Sequence, residues 1–538
     1  MPELQFKGKT IVRSLHLALP YHELLPQPQL SHGAQPAGNL IIQGDNLLAL
    51  KALLPRFAGQ VRWVYIDPPY NTGHEGWVYN DNVNSPLQQA WLRKVVDRDD
   101  LSRHDKWLCM MLPRLRLLRE LLREDGAIGV SIGDDELHHV RLLLDEVFGA
   151  ENFRNLIVLR RYDKNLNLQF AAQGLHSLNI GAEYVLIYAR SPAFLFNPLF
   201  RETAEQRRSR GYWKGFWNAA ERPRMRYPLL GVTPERGQWK WQQAVALEAV
   251  KHYQQYLAEY SHLSLEEYWQ QTGETLRFIR RNPAGKGRNA GVEHWVPPGA
   301  GALRNSNWSD LLASTTLTDL GLHFDNPKHP AMLQALLQLC CDPDDLVLDS
   351  FAGSGSTAQA LLALNAADGG RRRFILVEQE DYAESLTAER VRRVMAGWPA
   401  AKDPALRRGY GGSFSFFRLG AALDFERMLS GDDLPSYESL ARYVFFTATG
   451  IAWDEQQAEP ACDYLGSSGN YEIYLIYRPD LDFLRDAGLT RAWIERLPPP
   501  GSRRRLVFAP AKYLDDAILQ AAGVEFAWLP FEIYRRWS

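Results

Sequence analysis

"NLIIQGDNLLALKALLPRFAGQVRWVYIDPPYNTG", residues 39–73, reads as strand, helix, strand and then an abrupt stop. "NLIIQGDN" carries the short apolar run of a buried strand, "LLALKALL" spaces its apolar residues as a helix does, and "VRWVYID" is strand-like again. That alternation is the rhythm of a parallel α/β sheet. The second strand halts at Asp67-Pro68-Pro69-Tyr70: an acid, two residues with no N–H for a sheet ladder, and an aromatic ring. Open α/β sheets bind ligands beyond the C-terminal ends of their strands, so a rigidly held acid at that place is a candidate for chemistry.

Outward from this stretch the rhythm continues. Residues 104–124 predict a long helix with Leu108, Met111, Leu112, Leu115, Leu118 and Leu122 on one face, and Pro113 should kink it or mark a junction. "GAIGVSIG" (126–133) and "EYVLIYAR" (183–190) predict further strands. Between Arg201 and Leu230 the character changes, with eight Lys or Arg against three Glu and Tyr212, Trp213, Trp217 and Tyr227 interleaved. A second basic run, "RFIRRNPAGKGR" (277–288), has five positive charges and no acid. After residue 330 the α/β rhythm returns, and a Pro/Arg-rich stretch near 397–412 leads to a smaller C-terminal unit.

The returning segment contains "VLDSFAGSGSTAQALLAL" (347–364). A strand ends in Asp349, a turn carries Phe351, Gly353 and Gly355, and a helix starts near Ser356. Glycines allow close backbone approach to a ligand, and a helix N-terminus offers free N–H groups to an anion. Glu378 ends the next predicted strand, where an acid can accept hydrogen bonds from ribose hydroxyls. Phe-x-Gly-x-Gly alone recurs by chance in about one chain of this length in ten, Asp-Pro-Pro-Tyr in about one in several hundred. The conjunction of the two, each at a strand end, therefore carries the reading.

The totals set bounds. A chain of 538 residues exceeds one hydrophobic core, so several domains are expected. Net charge is −2, so any nucleic-acid surface must be local. No apolar run is long enough to cross a membrane, and "MPELQFKGKT" lacks a signal-peptide pattern. Cys109, Cys340, Cys341 and Cys462 have no metal-ligand spacing and read as reduced core residues of a cytosolic protein. In "GDDELHHVRLLL" (133–144), Asp134, Asp135, His138 and His139 could suggest a metal, but acids capping an amphipathic helix explain the pattern better. No metal site is assigned.

Together the two motifs resemble the beta group of DNA amino-methyltransferases, which use S-adenosylmethionine (AdoMet), with Asp-Pro-Pro-Tyr preceding the glycine loop. The wider text of 39–73, with "NPKHPAMLQALLQL" (326–339), is similar to the Mod subunits of type III restriction-modification systems. Two departures stand out: Ala182 where relatives often have histidine, and Gly-Ser-Gly-Ser-Thr for the commoner Gly-Ser-Gly-Thr-Thr.

The resemblance implies a doubly wound, Rossmann-like α/β sheet with permuted motif order, an inserted recognition domain and a small α/β C-terminal domain. The expected division is a first part of the catalytic core over 1–195, target recognition over 196–310, the AdoMet-binding part over 311–400 and an accessory unit over 401–538. The implied reaction is methylation of adenine N6 in double-stranded DNA of a bacterial or archaeal cell. Cytosine N4, or a DNA-recognition subunit without catalysis of its own, are the alternatives. Asp67, Pro68, Pro69 and Tyr70 would be catalytic. Asp45, Lys328, Asp349, Phe351, Gly353, Gly355 and Glu378 would hold AdoMet, although Asp45 reads equally as a helix cap and Lys328 as a loop charge. Arg207, Arg208, Arg210, Lys214, Arg280 and Arg281 would contact DNA, against the simpler reading of a solvated basic face around core tryptophans. A homodimer and a helicase-nuclease partner are also implied.

Overall fold

The computed structural model describes residues 3–71, 103–161, 178–201, 210–299, 302–422, 434–499 and 501–529. Residues 1–197 and 306–538 form one compact unit, and 198–305 form another.

The larger unit is organised by ten strands: β1 (His22–Pro26), β2 (Asn39–Gln43), β3 (Val61–Ile66), β4 (Leu122–Ile132), β5 (Phe153–Arg160), β6 (Ala182–Ala189), β7 (Asn307–Leu312), β8 (Leu346–Asp349), β9 (Arg373–Glu378) and β10 (Phe414–Ala422). They lie in the order β1-β10-β2-β9-β8-β3-β4-β6-β5-β7. Antiparallel pairing is confined to β1 with β10 and to β6 with both β4 and β5. The middle of the sheet, β10-β2-β9-β8-β3-β4, is parallel throughout.

Helices α1 (Asn46–Phe57), α2 (Arg103–Leu121), α3 (Leu137–Phe148), α4 (Pro330–Cys340), α5 (Ser356–Asp368) and α6 (Glu389–Ala396) cover it. Side chains alternate across a strand, so a central strand needs apolar residues at every position. All six residues of β3 are buried, Arg62 among them. Leu40, Ile42, Val64, Ile66, Leu348 and Val377 join α1, α2 and α3 in one core. Their neighbours Ile41, Trp63, Val347 and Leu376 are equally buried, and α4 and α5 pack against each other and on β3 and β9. This is the doubly wound arrangement expected. Pro113 does not end a segment; it lies within the continuous helix α2.

Parallel strands bring their C-terminal ends to one edge. The adjacent strands β2, β9, β8 and β3 there present Asp45, Glu378, Asp349 and Asp67 in that order. Chain segments about three hundred residues apart thus meet through sheet register alone.

Strand β10, within the stretch expected to be accessory, pairs with β2 and β1, so the main sheet draws a strand from beyond residue 401. The following helix Tyr437–Thr449 packs on α1 and on a separate four-stranded sheet through Leu440, Val444 and Phe445.

The unit 198–305 has its own core. Strands Ile279–Arg281, Val292–Val296 and Tyr212–Gly215 make an antiparallel sheet, accompanied by helices Gln243–Glu259 and Leu265–Gln271. The shorter helix begins with a reciprocal Ser264–Glu267 capping box. Trp239 and Trp295 are core residues here, whereas Trp308 belongs to β7 of the larger unit.

Candidate active site

Asp67 follows the last residue of β3, and the two prolines after it cannot extend the ladder. The loop is then tied down at several points. Trp107 Nε1 donates to the Pro69 carbonyl at 2.7 Å. The Tyr70 hydroxyl donates to Glu183 on β6. Asn71 adopts a left-handed conformation (φ 56°), with its amide donating to Glu136 at 2.5 Å and to the Arg103 carbonyl at 3.2 Å. Gly133, just past β4, backs the Tyr70 ring, because a Cβ there would lie 3.2 Å from Tyr70 Cδ2.

Four side chains converge. Lys328 Nζ lies 3.0 Å from Asp67 Oδ1 and 2.6 Å from the Tyr70 hydroxyl, and also contacts Glu183. Asp67 Oδ1 is a buried oxygen whose charge is met by this ammonium. Two carboxylates share one ammonium, leaving a surplus negative charge. Burial raises the Asp67 carboxyl above the ordinary carboxylate range, with Lys328 pulling it down and Glu183 pushing it further up. For Lys328 burial works downward, but Asp67 and Glu183 overcome it and hold the ammonium above its usual value. Lys328, expected among cofactor residues, thus stands with Asp67 and Tyr70. Glu183 is absent from the sequence-based set. Its one signal is an acid near the start of the otherwise apolar stretch "EYVLIYAR".

One strand over, Gly353 and Gly355 have φ of 51° and 79°, a region costly for other residues. A Cβ on Gly355 would touch Thr387 and Val391 at 3.4 Å. The Gly353 N–H donates to Glu378 Oε2 at 2.7 Å, and the Glu380 N–H to Glu378 Oε1 at 3.1 Å. Thr357 Oγ1 and the Phe351 N–H donate to Asp349 at 2.5 and 3.1 Å. Burial pushes the Asp349 carboxyl up to about 7 in spite of those two bonds.

Asp45 does cap α1, accepting from the Leu47 N–H at 2.8 Å, and it pairs with buried Arg114 at 3.2 Å. It also borders a hollow of about 540 Å³ lined by Gln43, Leu48, Asp381 and Arg418. Capping and ligand contact are compatible at this position.

The capping role expected at the start of α3 is not observed. Its N-cap is Glu136, whose carboxylate makes no cap hydrogen bond. It accepts instead from His104 and His139 at 2.6 and 2.8 Å and from Asn71, so it braces the Asp67–Asn71 loop. The three residues hold metal-type ligand atoms within 4.8 Å of one another, but these hydrogen bonds already account for both carboxylate oxygens.

In the unit 198–305, strand register divides the basic residues. Lys214 opposes His294, which opposes Ile279, so Lys214 and Arg281 share a face. Arg280 points the other way, pairs with Glu293 at 3.0 Å and covers the Trp213 ring at 4.1 Å. Arg210, Lys214 and Arg281 are exposed, while Arg207 and Arg208 lie outside the described residues.

An acid–aromatic loop and a glycine loop on neighbouring strand ends define the methyltransferase class of this fold. The chain belongs to the DNA methylase family of N6/N4 methyltransferases, whose model matches residues 61–389. Among curated proteins it is 29% identical, over 80% of its length and 66% of the relative's, to the type III restriction-modification enzyme StyLTI Mod subunit of Salmonella typhimurium. It is 28% identical, over 70% of its length and 63% of the relative's, to the EcoPI Mod subunit of Escherichia phage P1. Type II methyltransferase M.KpnI of Klebsiella pneumoniae is 29% identical over 62% of this chain and 79% of that protein. The chain spans between about half and two-thirds of the length of the Mod subunits it is similar to. Among the described residues, no helix is long and apolar enough to cross a membrane.

Proposed function

We propose that the chain transfers a methyl group from AdoMet to adenine N6 in double-stranded DNA. The observation that carries this reading is the placement of Asp67, at the end of β3 and beside the Lys328 ammonium, one strand from the glycine loop.

The cofactor fits the residues present. Glu378 ends β9 beside the glycine loop, the position from which an acid meets ribose hydroxyls. The N-terminus of α5 and the glycine turn suit an anionic end, and the hollow beside Asp45 suits an adenine. When bound, AdoMet supplies a methyl group on a positively charged sulfur.

The remaining roles fall to the chain. Asp67 and the Pro68 carbonyl would each accept an N–H of the target amine, directing its lone pair towards the methyl carbon. As the N–C bond forms and the sulfur retains the S–C electrons, the surplus proton leaves by way of Asp67. Tyr70, its hydroxyl anchored to Glu183 and Lys328, offers its ring to stack on the base. The base must first leave the duplex, at a cost of a few kcal/mol that stacking partly offsets.

Glu378→Ala is expected to raise the Kd for AdoMet by about 10- to 100-fold, measured by calorimetry. It would leave DNA affinity unchanged.

We assign DNA recognition to 198–305. If Lys214 and Arg281 contact phosphates, the double variant Lys214→Glu/Arg281→Glu should lower the slope of log K against log salt by about 2. Arg280→Ala should alter that slope little and reduce thermal stability, since Arg280 is already engaged with Glu293 and Trp213.

Similarity to Mod subunits extends the proposal to a helicase-nuclease partner and to a homodimer, the latter read out by sedimentation. The decisive assay is transfer of labelled methyl to mixed-sequence duplex DNA, digested and separated as nucleosides. Label in N6-methyladenine supports the reading, and label in N4-methylcytosine would transfer it to the other base. DNA binding without any label would make the chain a recognition subunit.

A further inference from the structure

Beneath the glycine loop lies a cation that the reaction scheme does not use. The chain leaves β9 through a π-helical turn, Ala383–Ala388, and enters α6, carrying Thr387 and Arg390 under the loop. Thr387 Oγ1 donates to the Gly353 carbonyl at 2.5 Å. Arg390 is fully buried. Its Nη1 donates to Ser354 Oγ at 2.6 Å, to Ser356 Oγ at 2.7 Å and, more weakly, to the Ser354 carbonyl at 3.4 Å. Its Nε and Nη2 both donate to Gln359 Oε1, at 3.0 and 2.8 Å.

Every one of these acceptors is neutral. Among the described residues no carboxylate pairs with Arg390, although most other buried arginines have one: Arg62 has Asp125, Arg114 has Asp45, Arg372 has Asp368 and Arg505 has Glu472. Desolvation lowers its pKa to about 9, which still leaves it charged at neutral pH. A buried charge without a counter-charge is unfavourable. Hydrogen bonds to dipoles offset part of that cost, and an anion just above the loop would offset more.

We propose that Arg390 is a positioning residue whose charge, relayed through Ser354 and Ser356, selects the carboxylate of the cofactor's amino-acid end. This rests on the AdoMet reading given above. The relay has a simple chemical basis. Both serine oxygens accept from the guanidinium and share one hydrogen bond with each other at 3.4 Å, which leaves one of the two O–H groups to donate outward, so positive potential passes to the loop surface. The same bonds turn the Gly353 and Ser354 carbonyls towards the helix below, away from an approaching anion.

The test compares AdoMet with decarboxylated AdoMet, which differs only in lacking that carboxylate, by calorimetry on the full chain. The native protein should bind AdoMet tighter by about tenfold or more. In Arg390→Met that preference should shrink to within about twofold, while affinity for the decarboxylated compound changes by less than about threefold. Arg390→Lys should keep most of the preference. Equal loss for both ligands in Arg390→Met would reduce the residue to a structural prop and overturn the proposal. So would a native protein with no preference, a result that needs no folded variant. A native protein that binds neither compound would overturn the cofactor reading itself, and this inference with it.

Discussion

Replacing Asp67 with alanine should abolish methyl transfer, lowering kcat/KM by about a thousandfold or more, while AdoMet and DNA still bind. The loss follows from the geometry of the strand end. Asp67 stands at the end of β3 with Lys328 as its counter-ion, and neighbouring oxygens are already engaged: Glu183 Oε1 by Tyr70 and Lys328, and the Pro69 carbonyl by Trp107. Asp67→Asn is the sharper variant. It keeps shape and one acceptor but removes the charge that takes up the proton, so activity should stay low while melting temperature stays close to native. Nucleoside analysis with labelled AdoMet reads the activity, and thermal unfolding reads the fold. Native-like turnover in Asp67→Asn would exclude Asp67 as the proton's exit.

The second large effect is expected at Lys328, and its sign can be worked out. Burial and Glu183 both hold the Asp67 carboxyl above its ordinary range, and Lys328 opposes them. Lys328→Met removes that opposition, so Asp67 keeps its proton to higher pH. A protonated Asp67 cannot accept the proton of the methylated amine. Activity near neutrality should therefore fall by about 10- to 100-fold, with the acid limb of the pH–rate profile shifted to higher pH. Glu183→Gln removes a like charge and should shift the same limb to lower pH. Opposite shifts in the two variants are the signature of electrostatic coupling, whereas simple loosening of the site would move both the same way. Lys328→Met should also destabilise the fold by about 3–5 kcal/mol, because buried Glu183 and part-buried Asp67 lose their shared cation. Urea titration measures that loss.

Much of this architecture could be read before any coordinates. The stretches "VRWVYID", "VLDS" and "RFILVE" announce themselves as buried parallel strands because both faces are covered, so their interior positions are apolar, Arg62 being the exception. The prolines after Asp67 and the glycines at 353 and 355 are legible for a similar reason, since their backbone requirements are local. Where the readings fell short, a contact was involved. Nothing in "NPKHP" reveals that Glu183, 145 positions away, waits opposite Lys328. The acids ahead of α3 looked like caps, and only packing against α2 showed Glu136 turned towards two histidines and Asn71. In the unit 198–305, tryptophan content alone could not separate core from surface, and a basic run could not say that Arg280 and Arg281 leave their strand on opposite faces.

By itself the sequence determined the sheet, the two loops at its edge and the family to which the chain belongs. These depend on residues adjacent in the chain, where hydrophobic period, proline and glycine act directly on the backbone. Tertiary structure decided which acids share that edge, which cation neutralises them and which basic residues face together. Those outcomes depend on strand order and register, properties that arise only when distant segments pair and bury each other's charges.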